Sequence, residues 1–259
     1  MAASLASSPN GGPIPAHTPG LSIEFRDVEK RYGMRLALRG VNLSIAAGEC
    51  VALVGHNGSG KTTLLKITAQ LTQPTQGKIT FHAGEAAIPL EDAKSRVGMV
   101  GHQTLLYDEL TAEENLTFFA KLFGMSDPAG NARAALEPVG LASRAGDLVR
   151  TFSRGMRQRL SIARAMLASP GLLLLDEAGT GLDPEGQHWL GAAIQRLRAS
   201  GCTILMSTHG RNETQAAVTR AIRLENGRIT HDSGADGDPR EILVLAAVRE
   251  GDSDGGMNP

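Results

Sequence analysis

The chain has 259 residues, 41% of them hydrophobic and only 3% aromatic, with a formal net charge of −1. That length allows one large domain or two small ones. The missing basic excess disfavours nucleic acid as the main partner, because neutralising phosphates needs clustered Lys and Arg. No apolar run is long enough to span a bilayer, and nothing before Glu24 combines a basic segment with an apolar one. The expectation is a cytoplasmic protein without a signal peptide or direct membrane insertion, reaching a membrane only through partners. Cys50 and Cys202 lie in apolar runs and read as buried hydrophobes rather than as a disulfide or metal site.

Residues 1–20 are rich in Ser, Ala, Pro and Gly without periodicity and read as a disordered arm. Ile23, Phe25 and Val28 suggest a strand. Further strands are expected at Val41–Ile45, Cys50–Val54, Gly77–His82 and Arg96–Val100. Thr111 and Glu114 form a capping box that opens a helix reaching about Phe123. Residues 124–150 are punctuated by Gly and Pro and have room for one more helix. Met156, Leu160, Ala163 and Leu167 recur at helical spacing from Ser153 onward. Leu172–Leu175 is a short apolar strand of the kind buried on both faces. Asp183 and Pro184 supply an N-cap and a first-turn proline to a helix carrying Leu190, Ile194 and Leu197 and stopped by Gly201. Thr203–Met206 is another buried strand, and Asn226-Gly227 marks a hairpin.

Strands alternating with helices predict an α/β fold with a parallel sheet. The hairpins predict added antiparallel strands, and the helical stretch of about 105–168 reads as an inserted subdomain. After about Asp232 the chain turns acidic and Gly-rich; residues 233–259 read as an extension with one short element and a disordered end.

The strongest chemical signal is Gly55-His-Asn-Gly-Ser-Gly-Lys-Thr62, after an apolar strand and at the start of a helix, which fits G-x-x-x-x-G-K-[ST]. Glycines 55, 58 and 60 let the backbone curl its N–H groups toward phosphate oxygens, and the helix N-terminus adds positive potential. Lys61 can reach the terminal phosphates and Thr62 can offer its hydroxyl to Mg²⁺. Asn57, Ser59 and Thr63 complete the candidate ATP-binding set, whereas His56 reads as loop surface. The second signal is Leu172-Leu-Leu-Leu-Asp176-Glu177, a strand ending in two carboxylates. Asp176 is suited to holding Mg²⁺ and Glu177 to polarising the attacking water, which are the positioning and charge-stabilising parts that phosphoryl transfer needs.

A third stretch, Thr151-Phe-Ser153-Arg-Gly155-Met-Arg157-Gln-Arg159-Leu160, alone reads as a Ser-capped basic helix. With the other two motifs it resembles the signature segment of the ABC ATPases, Leu-Ser-Gly-Gly-Gln before a basic helix. Phe152, Arg154 and Met156 depart from that pattern, while Ser153 and Gly155 keep its phosphate-touching positions. Tyr32 then resembles the family's adenine-stacking aromatic, Gln103 its glutamine-loop residue beside Mg²⁺, Asp183 its D-loop acid and His209 its switch histidine. Ala178 stands where the family usually has Pro.

The resemblance covers about residues 21–232. It implies a RecA-like P-loop NTPase core with an antiparallel β-subdomain and a helical subdomain. It also implies ATP and Mg²⁺ as ligands, a homodimer in which each P-loop meets the other copy's Ser153 and Gly155, and integral membrane permease subunits as partners at the cytoplasmic face of the membrane. Residues 101–116 and 151–160 are similar, within the family, to the ATPase of the haem exporter used in cytochrome c maturation. A soluble ABC ATPase of DNA repair or translation ranks lower, since neither a long coiled-coil insertion nor a second ATPase domain is visible. A P-loop kinase ranks last because it would lack the glutamine, signature and histidine elements.

Overall fold

A computed structural model describes residues 19–101, 104–208 and 216–244. They fall into two compact units, one made of residues 104–168 and the other of the described chain on either side. The expected arm at 1–20 and the end of the C-terminal extension lie almost wholly outside the described residues; residues 239–244 are helical.

The larger unit opens on β1 (Leu21–Tyr32). Leu21, Ile23 and Phe25 are almost fully buried at alternate positions, the period that sends every second side chain to one face. The alternation slips at Asp27, whose φ is 48°, and the register against β2 (Arg35–Ile45) shifts there, returning Val28 to the core. Gly77 of β4 (Gln76–Ala83) closes against this bulge; with φ of 76°, a Cβ on it would stand 2.2 Å from the Asp27 carbonyl oxygen. With β5 (Ala86–Ile88) these strands form an antiparallel sheet of order β2-β1-β4-β5. Neither β5 nor the six-residue α2 (Leu90–Ser95) was expected, because elements this short show no hydrophobic period.

The second sheet contains β3 (Cys50–Val54), β6 (Val97–Val100), β7 (Leu172–Asp176), β8 (Thr203–Ser207), β9 (Arg220–Glu225) and β10 (Arg228–Asp232), in the order β10-β9-β3-β8-β7-β6. Every pairing is parallel except the β9–β10 hairpin. β3, β7 and β8 are buried at every position, as runs covered on both faces must be. The hairpin turns at Asn226 and Gly227 with φ of 49° and 79°, the doubly left-handed turn that Asn-Gly favours. One core joins the layers: Ile23 and Phe25 of β1, Leu64 and Leu65 of α1 (Lys61–Thr68), and Leu53, Leu174 and Leu205 of the parallel sheet. α6 (Pro184–Ala199) carries the expected cap at Asp183 and buries Leu190, Ile194 and Leu197. Cys50 and Cys202 are free and buried; loss of hydration pushes both thiols up to about 12, so neither is a nucleophile at neutral pH.

The helical unit packs α3 (Ala112–Leu122), α4 (Pro128–Leu136) and α5 (Arg154–Met166). The capping box forms, with Thr111 Oγ1 accepting from the Glu114 N–H and Glu114 accepting from the Thr111 N–H. Asn115 is fully buried; its Oδ1 accepts from the Tyr107 N–H at 2.8 Å and its Nδ2 donates to the Tyr107 and Thr111 carbonyls at 3.0 Å. One amide side chain thereby shapes the loop ahead of α3. On α5, Leu160 and Ala163 are buried as their spacing predicts, while Met156 is half-buried.

Leu174 is fully buried between two neighbouring strands, so Leu174→Ala is expected to cost roughly 3 kcal/mol. Urea unfolding should show a lower midpoint at an unchanged slope; an unchanged midpoint contradicts this packing.

Candidate nucleotide site

Because β3, β8 and β7 are parallel neighbours, their carboxyl ends meet at one edge of the sheet, where Leu53 and Asp176 both pair with Ser207. Open α/β sheets bind ligands at such an edge. The chain leaves β3 through the Gly-rich loop into α1. Gly55, Gly58 and Gly60 have φ of 149°, 79° and 115°, values that L side chains rarely adopt. Gly55 has a second reason to be glycine: its added Cβ would lie 2.1 Å from the Leu224 carbonyl oxygen. α1 starts at Gly60 with no side-chain cap, so its first-turn N–H groups point at whatever sits in the loop. Lys61 is 4% exposed and its ammonium donates to the carbonyls of Gly55 at 2.5 Å and His56 at 3.3 Å, folding back across the loop it follows.

The Asp176 carboxylate and the Glu177 backbone are held as well. Asp176 Oδ1 accepts from Thr62 Oγ1 at 3.2 Å and from Ser207 Oγ at 2.7 Å. Ser207 Oγ in turn accepts from the Glu177 N–H at 2.9 Å. Glu177 sits at φ of 54°, a left-handed backbone that costs about 1–3 kcal/mol for a non-glycine residue and that this hydrogen bond helps to hold. A hydroxyl and a carboxylate oxygen side by side are hard donors suited to Mg²⁺, which keeps several of its own waters.

These parts border a cavity of about 400 Å³ lined by Tyr32, Arg35, Ala37, Asn57, Gly58, Gly60, Lys61, Thr62, Thr63 and Glu177. Tyr32 is 47% exposed, with the Lys30 ammonium 5.1 Å from its ring centroid. Of the expected set, Gly55 and Ser59 do not line the cavity: Gly55 faces Leu224 and Ser59 is buried. Asp176 lies behind Thr62. Asp183 caps α6 through the Gly186 N–H at 2.8 Å. Ser153 and Gly155 belong to the helical unit, where the Ser153 hydroxyl accepts from the Met156 N–H at 3.2 Å. Gln103 and His209 lie outside the described residues.

The family model of the ABC transporters matches residues 38–180, more than half of the chain. The chain belongs to the ABC transporter family. As an ATP-binding subunit of that family it has close relatives by sequence. It is 40% identical over 81% of its length, and 70% of the relative's, to Nod factor export ATP-binding protein I of Burkholderia lata. It is 38% identical over 85% of its length, and 72% of the relative's, to the protein of that name from Burkholderia pseudomallei. Among solved structures it resembles the ATP-binding cassette MJ0796, a dimer in a post-hydrolysis state bound to ADP and Pi. That match has 27% identity and a TM-score of 0.73, covering 83% of this chain and 99% of the other. The names of these relatives do not support the haem-exporter assignment expected from residues 101–116 and 151–160.

Three parts of the ABC site escaped the sequence reading. Ser207 ends an apolar strand beside the strand of Asp176, so a lone hydroxyl at that strand end was the signal. Arg35 and Ala37 follow the Gly33-Met34 turn, and the signal was that a two-residue turn sets Arg35 directly across from Tyr32. Ser207 holds both Asp176 and the backbone of Glu177, so with Asp176 as the candidate Mg²⁺ ligand Ser207→Ala should cut ATP turnover about 10–100-fold, the usual cost of removing a partner behind such a ligand. Steady-state ATPase assays with added Mg²⁺ check this, and full turnover would remove Ser207 from the site.

Proposed function

We propose that this chain is the ATP-hydrolysing subunit of an ABC exporter. The observation that carries the proposal is the cavity in which a left-handed glycine loop, Lys61, Thr62 and Glu177 converge over an Asp176 bonded to Thr62. The loop amides and Lys61 bind the phosphates of ATP, and Tyr32 takes the adenine on its exposed ring. Thr62 and Asp176 would hold Mg²⁺, which neutralises charge on the phosphates. Glu177 orients the attacking water and accepts its proton as the terminal phosphate departs. For Gln103 and His209 we propose the Mg²⁺- and phosphate-sensing roles that the family resemblance implies, and for Ser153 and Gly155 a contact to the ATP of a second copy, so that two chains enclose two nucleotides. The dimeric state of MJ0796 with ADP and Pi agrees with that arrangement.

Export as the direction of transport rests on relatives named export ATP-binding proteins. No helix among the described residues is long and apolar enough to cross a membrane. As in the family the chain belongs to, we propose that the work is delivered to integral membrane subunits at the cytoplasmic face. The helical unit carries a surface for them. Leu105, Tyr107, Leu122 and Phe123 are 50–64% exposed, with Phe118 set edge-on to Tyr107 at 5.1 Å between ring centroids. In a chain with so few aromatic residues, that concentration of apolar surface suits a permease contact.

Lys61→Ala should weaken ATP binding more than about a hundredfold, while Glu177→Gln should keep binding and lower turnover about 10²–10⁴-fold. Nucleotide titration and phosphate release on the two variants test the proposal; unchanged binding in the first sinks it. Replacing Leu122 and Phe123 with Asp should leave ATP affinity of the isolated chain intact and reduce its recovery with native membranes. Full recovery would place the permease contact elsewhere.

A further inference from the structure

The glycine loop has a second cation against it that its motif does not contain. Arg35 is the first residue of β2, directly across the ladder from Tyr32, and it lines the same cavity as Lys61, Thr62 and Glu177. Its Nη2 donates to the Gly58 carbonyl at 3.2 Å. The approach is close enough that a Cβ added to Gly58 would lie 2.8 Å from that nitrogen. Among the described residues this carbonyl is the only hydrogen-bond partner of Arg35, and no carboxylate pairs with it. A guanidinium offers five N–H donors in a rigid fork. One long bond to a neutral acceptor leaves most of that capacity directed at the cavity or at solvent.

Arg35 and Lys61 therefore differ in kind. The Lys61 ammonium is 4% exposed and tucked against the loop's own carbonyls. Arg35 is exposed and reaches the loop from β2, across the ladder from Tyr32. Directly opposed residues on an antiparallel ladder have Cβ atoms about 4.5–5.5 Å apart, so Arg35 leaves the ladder beside Tyr32 and its guanidinium reaches Gly58 of the loop. A nucleotide with its base on Tyr32 and its terminal phosphates at Lys61 carries its first phosphate across that interval. Anionic phosphate oxygens are stronger acceptors than a peptide carbonyl, and a guanidinium meets them with two N–H groups at once.

We propose that Arg35 binds the α-phosphate of the nucleotide, exchanging its bond to Gly58 for the phosphate oxygens and gripping ADP and ATP alike. The inference rests on the reading of this cavity as an ATP site. It assigns a binding role to a side chain outside the glycine-loop and two-carboxylate motifs, and it makes β2 part of the recognition of the phosphate chain.

The test is a titration of the purified chain with ATP and ADP, and with adenosine by competition, for the wild type, Arg35→Ala, Arg35→Lys and Lys61→Ala. Arg35→Ala should weaken ATP and ADP equally, by about tenfold, as expected for one lost charge-assisted hydrogen bond. Adenosine should stay within about twofold, because it lacks the phosphate, and Arg35→Lys should recover part of the loss by restoring the charge without the fork. Unchanged ATP and ADP affinity in Arg35→Ala overturns the assignment and leaves Arg35 as a clasp on Gly58. An equal loss for adenosine also overturns it, in favour of a contact to base or ribose, and a loss confined to ATP moves the contact to the terminal phosphate. Lys61→Ala separates the two levels of the argument. If it abolishes ATP binding while Arg35→Ala does nothing, only the Arg35 assignment fails; if it leaves ATP binding intact, the ATP-site reading fails with it.

Discussion

The site depends on the parallel alignment of β3, β8 and β7. Parallel neighbours end together, and here three ends bring the glycine loop, Ser207 and the Asp176–Glu177 pair to one edge. Thr62 and Asp176 are 114 residues apart in sequence and 3.2 Å apart in space. An antiparallel arrangement of the same strands would send one of those ends to the opposite edge. Burial favours the alignment: all three strands are covered at every position, so slipping any of them by one residue would exchange the side chains packed on its two faces and disrupt a close-packed core on both.

On this frame the site is held from behind as well as lined from the front. The β9–β10 hairpin runs beneath the glycine loop. Its Gly227 donates its N–H to the Ser59 carbonyl at 2.9 Å and accepts at its own carbonyl from the Arg39 N–H of β2, also at 2.9 Å. Leu224 of β9 presses its carbonyl against Gly55. The loop is thus pinned between β2, which carries Arg35 and Ala37, and a hairpin placed outside the motif. Rigid support of this kind lets a loop hold a curled, left-handed backbone ready for phosphate without reorganising when the ligand arrives. The strained backbone of Glu177 follows the same logic, since its N–H is tied to the hydroxyl that also orients Asp176.

Most of the site was legible because each part is a local pattern with a physical meaning. Glycine where φ must be positive, Lys and Thr at a helix start, and two acids at the end of an apolar strand all survive as short strings. What was not legible has no local pattern. Ser207 is one hydroxyl at a strand end, and its importance comes from the strand next door. Arg35 reads as a surface arginine until the turn folds it across from Tyr32. The short elements β5 and α2 show no period because they are less than two turns or a few residues long. The haem assignment stands apart from these, because the relatives are named Nod factor export proteins and those names do not support it.

The amino-acid sequence by itself determined the phosphate loop, the acid pair, the capped helices and the alternation of strands and helices, because each is set by interactions within a few residues. Tertiary structure alone decided which strands are neighbours and in what direction. It thereby decided that Asp176 meets Thr62 and Ser207, that a hairpin near residue 227 supports Ser59, and that Arg35 shares a cavity with Lys61. Those juxtapositions arise from burying several apolar strands in one sheet, a collective choice that no short segment encodes.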